Sequence, residues 1–393
     1  MLQAKTEKGK ICIPANLSMQ ERDGLRKMKF FCPSCEEAVI FKNGDKVIPH
    51  FSHYSKSNCL LHDRGEGIYH EQGKLLLYQW FKKQNMHVEL EKYLPDISQR
   101  PDLFITVNKR KIALEYQCAR IPIEEIQKRN NGYQKAGIIP IWIMGANRLK
   151  RLSNHHFKLD TFTSQFIHQF HSNYPLSLYY FCPQSQTFIT IQDVYMTSMT
   201  KAIGKWKFMK MMHTSFTQWI RSEPIEKHEL FERWKKEKLH FRLAPRSKAY
   251  GNERKWLHWI YSKGTNIAYL PSIIHLPIAN QYQMRLPTWN WQSRIYLEIL
   301  HPLAIGATFS LQNVQKLLNC HLHSHRTFPL IHNENHPYEQ YFHILEQLQV
   351  IDRVNQDTYV KKQHMPFYHH IEEAIQGDEY LLNRILESCK IQA

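Results

Sequence analysis

Apolar residues recur along this chain with a period that switches between two and about four. Residues 103–107 and 110–116 alternate at period two on either side of Asn108 and Lys109, which predicts a β-hairpin. Within residues 66–83, Leu75, Leu76, Leu77, Trp80 and Phe81 fall at helical spacing, so a helix precedes it. Residues 88–94 read as a strand, 122–136 as a helix that opens on proline and stops at Gly137, and 138–144 as a buried strand. The predicted order is helix, strand, strand, strand, helix, strand. Upstream, residues 1–14 alternate as a short hairpin turning at Gly9, and Ser18 with Glu21 is a capping-box signal. Downstream, residues 160–171 are read as a helix and 176–181 with 187–191 as a hairpin. Helices are then expected over 226–239, 253–261, 291–300, 311–318, 338–348 and 378–388.

The central hairpin carries candidate chemistry. If its loop is the two residues Asn108 and Lys109, Val107 pairs with Arg110 and Asp102 stands opposite Glu115. Facing side chains are roughly 4.5–5.5 Å apart at Cβ, close enough for two carboxylates to share a hard cation such as Mg²⁺. Gln117 points to the same face as Glu115. A loop one residue longer would split the two acids between faces, so the proposal carries a register requirement.

Two further groups flank it. Cys32-Pro-Ser-Cys35 and His50-Phe-Ser-His53 bracket an apolar run (38–41), a turn at Asn43-Gly44-Asp45 and a second run (46–48). Such a pair of ligand turns around a hairpin is expected to hold a structural Zn²⁺, with Cys59 as an alternative fourth ligand. A polar linker spans 55–64. Beyond it, Glu66, His70 and Lys74 recur every four residues and form one stripe of the predicted helix, while Arg129 and Tyr133 lie four apart on the next.

Composition adds a partner class. The chain of 393 residues and 47.1 kDa has 52 Lys and Arg against 35 Asp and Glu, a formal charge of +17, which favours a polyanion, nucleic acid before membrane. Between Lys201 and Lys263, basic residues alternate with Trp206, Phe208, Trp219, Trp234, Phe241 and Trp256, a pattern that would suit a strand-binding groove. The first residues show no signal peptide, and no apolar run approaches 18 residues. Eight Cys in so long a chain do not make a disulfide scaffold, so a reducing cytoplasm is expected. Neither a phosphate-cradling Gly-rich loop nor a dinucleotide fingerprint occurs.

An acid, a dozen residues and then Glu-x-Gln resembles the PD-(D/E)xK nuclease pattern, with Gln117 where Lys is usual. More specifically, residues 32–148 resemble the competence protein CoiA family of bacterial cytoplasmic proteins linked to recombination of incoming DNA during transformation. The likeness is carried by Cys32, Cys35, His50-Phe-Ser-His53, Glu66 with His70 and Gly73-Lys74, Arg100-Pro-Asp102, Glu115-Tyr-Gln117, Arg129 with Tyr133, and GIIPIWIMG. The resemblance implies an α/β (α+β) protein: a zinc-ribbon-like β segment (1–60), a restriction-endonuclease-like PD-(D/E)xK domain (64–171) and a mainly helical C-terminal domain (172–393). The expected activity is Mg²⁺-dependent cleavage of single-stranded or branched DNA at Asp102 and Glu115. Lys74 or His70 would compensate for Gln117, Glu66 is a further candidate catalytic residue, and Arg100, Arg129 and Tyr133 are candidate DNA contacts. The rival expectations are a non-catalytic DNA-binding protein and an adaptor for recombination proteins.

Overall fold

The computed structural model describes residues 1–44, 47–55, 59, 67–324, 327–332 and 335–391; Glu66 and most of the 55–64 linker lie outside the described residues. The N-terminal unit is an antiparallel sheet of β1 (Ala4–Thr6), β2 (Ile11–Cys12), β3 (Phe30–Phe31), β4 (Ala38–Lys42) and β5 (His50–His53), in spatial order β2-β1-β3-β4-β5. Between β2 and β3 runs α1 (Met19–Leu25), opened by the expected capping box: Glu21 N–H reaches Ser18 Oγ, and Ser18 N–H donates to Glu21 Oε2 at 2.7 Å. Leu25, Phe30, Val39 and Phe51 close a small core around Cys32.

The middle of the chain builds one eight-stranded sheet. After α2 (Ile68–Lys83) come β6 (His87–Leu90), β7 (Leu103–Val107), β8 (Arg110–Gln117), α3 (Ile123–Lys135) and β9 (Ile138–Gly145). Then follow β10 (His156–Lys158), the short α4 (Thr161–Ser164), β11 (Ser177–Cys182), β12 (Thr187–Met196) and β13 (Lys201–Lys210). Spatial order is β10-β13-β12-β11-β9-β8-β7-β6, parallel only where β9 meets β8 and β11. Side-chain alternation divides the sheet cleanly. Leu103, Ile105, Ile112, Leu114 and Tyr116 pack with Leu77 and Phe81 of α2, while Phe104 and Ala113 pack with Tyr133 of α3 on the other side. Strands beyond the boundary expected at residue 172 therefore belong to the same sheet as the hairpin.

Two sequence expectations change here. The helix expected over 160–171 shrinks to α4, capped by Asp160, because His168 leaves it to exchange backbone hydrogen bonds with Ser177. The supposed aromatic groove is mostly core: Trp219, Trp234, Trp256 and Phe241 are buried, and only Trp206 and Phe208, on β13, reach the surface.

From α5 (Phe216–Trp219) onward the chain is helical: α6 (Lys227–Leu243), α7 (Gly251–Ser262) and α8 (Thr288–Arg294), which runs into a π-helical stretch at Ile295–Leu300. After β14 (Thr308–Ser310) come α9 (Leu311–Leu318), α10 (Pro337–Gln347), β15 (Ile351–Arg353), β16 (Thr358–Lys361) and α11 (Ile371–Ile391). Trp234, Trp256, Trp291 and Tyr341 fill its core. Asp378 of α11 is buried against α6, accepting two bonds of 2.9 Å from Arg242 with Lys238 at 3.1 Å, so the buried charges are paired. Among the described residues no helix is long and apolar enough to cross a membrane.

Candidate active site and metal centre

The turn between β7 and β8 is two residues long, with Asn108 and Lys109 both in the left-handed region (φ 47° and 66°), the conformation a tight hairpin demands. Val107 pairs with Arg110 and Leu103 with Leu114, so continuing the register sets Asp102 opposite Glu115. The Tyr116 N–H donates to Asp102 Oδ2 at 2.7 Å. A strand N–H points along the sheet plane, so the Asp102 carboxylate caps the end of β7 instead of standing off one face.

The two acids then take different partners. Asp102 Oδ1 faces α2, with Lys74 Nζ at 3.4 Å and His70 Nε2 at 3.6 Å. Lys74 is itself buried and bridges to Glu91 Oε1 at 2.7 Å. Glu115 faces α3, where Oε1 accepts from Arg129 Nε at 3.0 Å and also bonds Arg129 Nη2 and the Tyr133 hydroxyl. Every hydrogen bond to Glu115 falls on Oε1; Oε2 takes none among the described residues. Arg129 Nη2 also reaches the Arg100 carbonyl at 3.1 Å, which fixes the α3 side of the site to the segment before Asp102.

Burial shapes the charges. It lifts the Glu115 carboxyl to about 7; the Arg129 guanidinium and the Tyr133 hydrogen bond oppose the shift, and the Asp102 charge adds to it. Burial would raise Asp102 as well, but the Lys74 and His70 charges and the Tyr116 N–H hold it well below the ordinary carboxylate range. Glu91 behaves likewise, brought down to about 2 chiefly by Lys74.

His70, Lys74 and Asp102 thus form one group, and Glu115, Arg129 and Tyr133 another beside it. Glu66 lies outside the described residues. Gln117 shares the Glu115 face, but its amide N–H donates to the Ala119 carbonyl at 2.8 Å, at the strand's own end. Glu91 is the member that sequence reasoning missed. It follows the buried alternation of Val88 and Leu90 and should point outward, yet a left-handed backbone (φ 49°) turns it inward, and no residue pattern announces that.

In the N-terminal unit, Cys32, Cys35, His53 and Cys59 bring one ligand atom each within 4.8 Å of one another. His50, one of the four expected ligands, is not among them; its Nδ1 lies 2.8 Å from the Ile48 carbonyl. The reason is that His50 and His53 both sit on β5, and residues three apart on a strand face opposite ways. Cys59, the alternative, completes a Cys3His set. Cys35 Sγ lies 3.3 Å from His53 Nε2, and the Cys32–Cys35 turn is closed by Glu36 N–H on the Cys32 carbonyl, with Glu36 left-handed (φ 61°). Burial pushes the Cys35 thiol up to about 12, which a cation would reverse because thiols ligate as thiolates. Tetrahedral Zn–S bonds of 2.3 Å require ligand atoms about 3.8 Å apart, so the donor set and its spacing fit structural zinc.

Sequence models of three domains match the chain: Competence protein CoiA, N-terminal domain, over residues 15–62; its nuclease-like domain over 66–224; and its C-terminal domain over 230–375. The chain is also 28% identical over 369 residues to Competence protein CoiA of Bacillus subtilis (strain 168), covering 92% of this chain and 97% of that one. No solved structure matches it.

Proposed function

The chain belongs to the competence protein CoiA family, and from that premise we propose that its nuclease-like domain is a metal-dependent deoxyribonuclease of PD-(D/E)xK type, acting on DNA during natural competence. One observation carries the reading: Asp102 stands one register step beyond the Leu103–Leu114 pair, opposite Glu115, and among the described residues Glu115 Oε2 takes no hydrogen bond. The donor set suits Mg²⁺, which binds through one or two carboxylates and keeps most of its waters. Asp102 and Glu115 would hold the ion, which would supply charge neutralisation at a scissile phosphate.

The chain's own groups do the rest. Lys74 takes the place that Gln117 cannot fill, holding a positive charge against Asp102 while Glu91 keeps its ammonium in position. His70, whose Nε2 lies 3.6 Å from the same carboxylate, is the group that would exchange a proton with a water bound there. Arg129 and Tyr133 orient Glu115 so that Oε2 remains open. The Cys3His set holds zinc that is structural, since four protein ligands leave no open position.

A second reading has an observation of its own. Each acid already has a cationic neighbour, Lys74 for one and Arg129 for the other, as a site retained for grip and not for cleavage would. The test is cleavage of labelled single-stranded and branched DNA by the full chain in Mg²⁺ or Mn²⁺. The nuclease reading expects Asp102→Asn and Glu115→Gln each to lose at least about 100-fold in rate with zinc content and DNA affinity kept. Binding without any cleavage by the native protein would favour the second reading.

A further inference from the structure

A registered row of side chains crosses the eight-stranded sheet from the acidic pair to β13, the neighbour of the edge strand β10. Gln117 pairs with Met144, Met144 with Tyr180, Tyr180 with Ile189, and Ile189 with Phe208. Paired residues share a face, so Phe208 on β13 lies on the same face as Gln117 and Glu115 on β8. Met144, Tyr180 and Ile189 between them are buried in one core with Phe162 and Phe166, so the surface that joins the two ends is formed by what packs over that row. The two ends are four strand spacings apart, about 19 Å, the reach of five to six stacked nucleotides or fewer extended ones.

The far end is built for a flat, anionic ligand. Phe208 is 53% exposed and lies parallel to Trp206, with ring centroids 6.0 Å and planes 12° apart. The Arg151 guanidinium sits 5.3 Å above Trp206. Along the way, Arg120, paired with Asp160, and Arg148 both lie over Phe162, and the buried Arg148 Nε has no hydrogen-bond partner among the described residues. An exposed aromatic pair alone would suit an apolar protein surface. A cation on the ring and a second, Arg148, along the row make a polyanion with exposed rings the better match, and only an unpaired strand offers its base faces.

We propose that the surface over this buried row, where Arg120 and Arg148 lie on Phe162, is the track of a single-stranded DNA that leaves the Asp102–Glu115 pair and stacks its bases on Trp206 and Phe208, with Arg148 on a phosphate. The proposal rests on the DNA reading above, and its test is separable from it because it measures binding alone.

The experiment titrates the full chain, in an Asp102→Asn background that holds DNA uncut, with fluorescent oligothymidylates of four and twelve nucleotides. With the aromatic pair intact, the longer oligomer should bind more tightly. Joint replacement of Trp206 and Phe208 by Ala should cost the twelve-mer about 5- to 150-fold in affinity and erase its advantage over the four-mer. Trp206→Phe with Phe208→Tyr should restore it, which a folding defect would not allow. Arg148→Ala should lower the slope of affinity against salt by about one unit. Unchanged twelve-mer binding in the double Ala variant, or equal loss on a blunt duplex of the same length, would overturn the track. Should the native protein bind through these rings yet cut nothing, the nuclease reading falls and the track stands.

Discussion

At the scale of single residues, Glu115 is the most telling group. Its ordinary pKa of 4.5 is raised to about 7, so the folded protein holds that proton more tightly than the unfolded chain does. The resulting stability is fully present below pH ~4.5 and is lost as pH rises through about 7, on the order of 3 kcal/mol in all. Asp102 and Glu91 act in the opposite sense: their pKa values are lowered, so what they contribute is present at neutral pH and lost in acid. Urea unfolding of the metal-free site at a series of pH values should therefore show Glu115→Gln closing on or overtaking the native protein between pH 5 and 8. Parallel curves would mean that Glu115 is ionised throughout. A cation binding at Glu115 must expel the same proton, so Mg²⁺ titration near pH 6.5 should release part of a proton equivalent. Calorimetry in two buffers of different ionisation heat reads that number.

At the scale of elements, the hairpin was legible and its surroundings were only partly so. Alternation in residues 103–116 and the two-residue turn were enough to set Asp102 against Glu115, because a strand's period leaves one register in which the apolar face stays buried. What lies opposite each acid was not legible. Lys74 and Arg129 stand on predicted helices, but whether they meet Asp102 or Glu115 depends on which side of the sheet each helix crosses. Likewise His50 and His53 look equivalent as letters and differ only because they occupy a strand. Metal analysis of purified variants checks this: Cys59→Ser should lose zinc and His50→Ala should keep about one equivalent. Helix α2 also meets the sheet with little tolerance. A Cβ on Gly73 would lie 2.1 Å from Cε1 of Tyr116, whose hydroxyl is tied to the Phe181 carbonyl at 3.1 Å. Gly73→Ala should cost about 1–3 kcal/mol by denaturant midpoint and should disturb Lys74, its neighbour.

At the scale of the whole molecule, the units expected from the sequence are joined where no pattern shows it. β13 looked like a basic, aromatic surface segment; its Lys-Trp-Lys-Phe alternation is equally a strand, and pairing with β12 decided the matter. The N-terminal unit is bound to the acidic site through the first residues of the chain. Phe51 N–H donates to the Met1 carbonyl at 2.8 Å, Leu2 is buried in the core beneath α2, and Leu2 N–H donates to Glu91 Oε2 at 2.9 Å. Stripping zinc from Cys32, Cys35, His53 and Cys59 should therefore loosen Glu91, whose N–H donates to the Asp102 carbonyl at 2.9 Å. Hydrogen exchange should register this as faster labelling of the Leu2 and Glu91 amides, with β11 and β12 unaffected.

The shortness of the Asn108–Lys109 turn also sets an order of assembly. Closing two residues is fast, so β7 and β8 can zip long before β11 finds β9, and the two carboxylates approach each other before either helix has brought its cation. Like charges then resist the zipping step at neutral pH. Refolding followed by stopped flow should accelerate with Asp102→Asn or with millimolar Mg²⁺, whereas unfolding rates should respond mainly to substitutions in the late-docking helices.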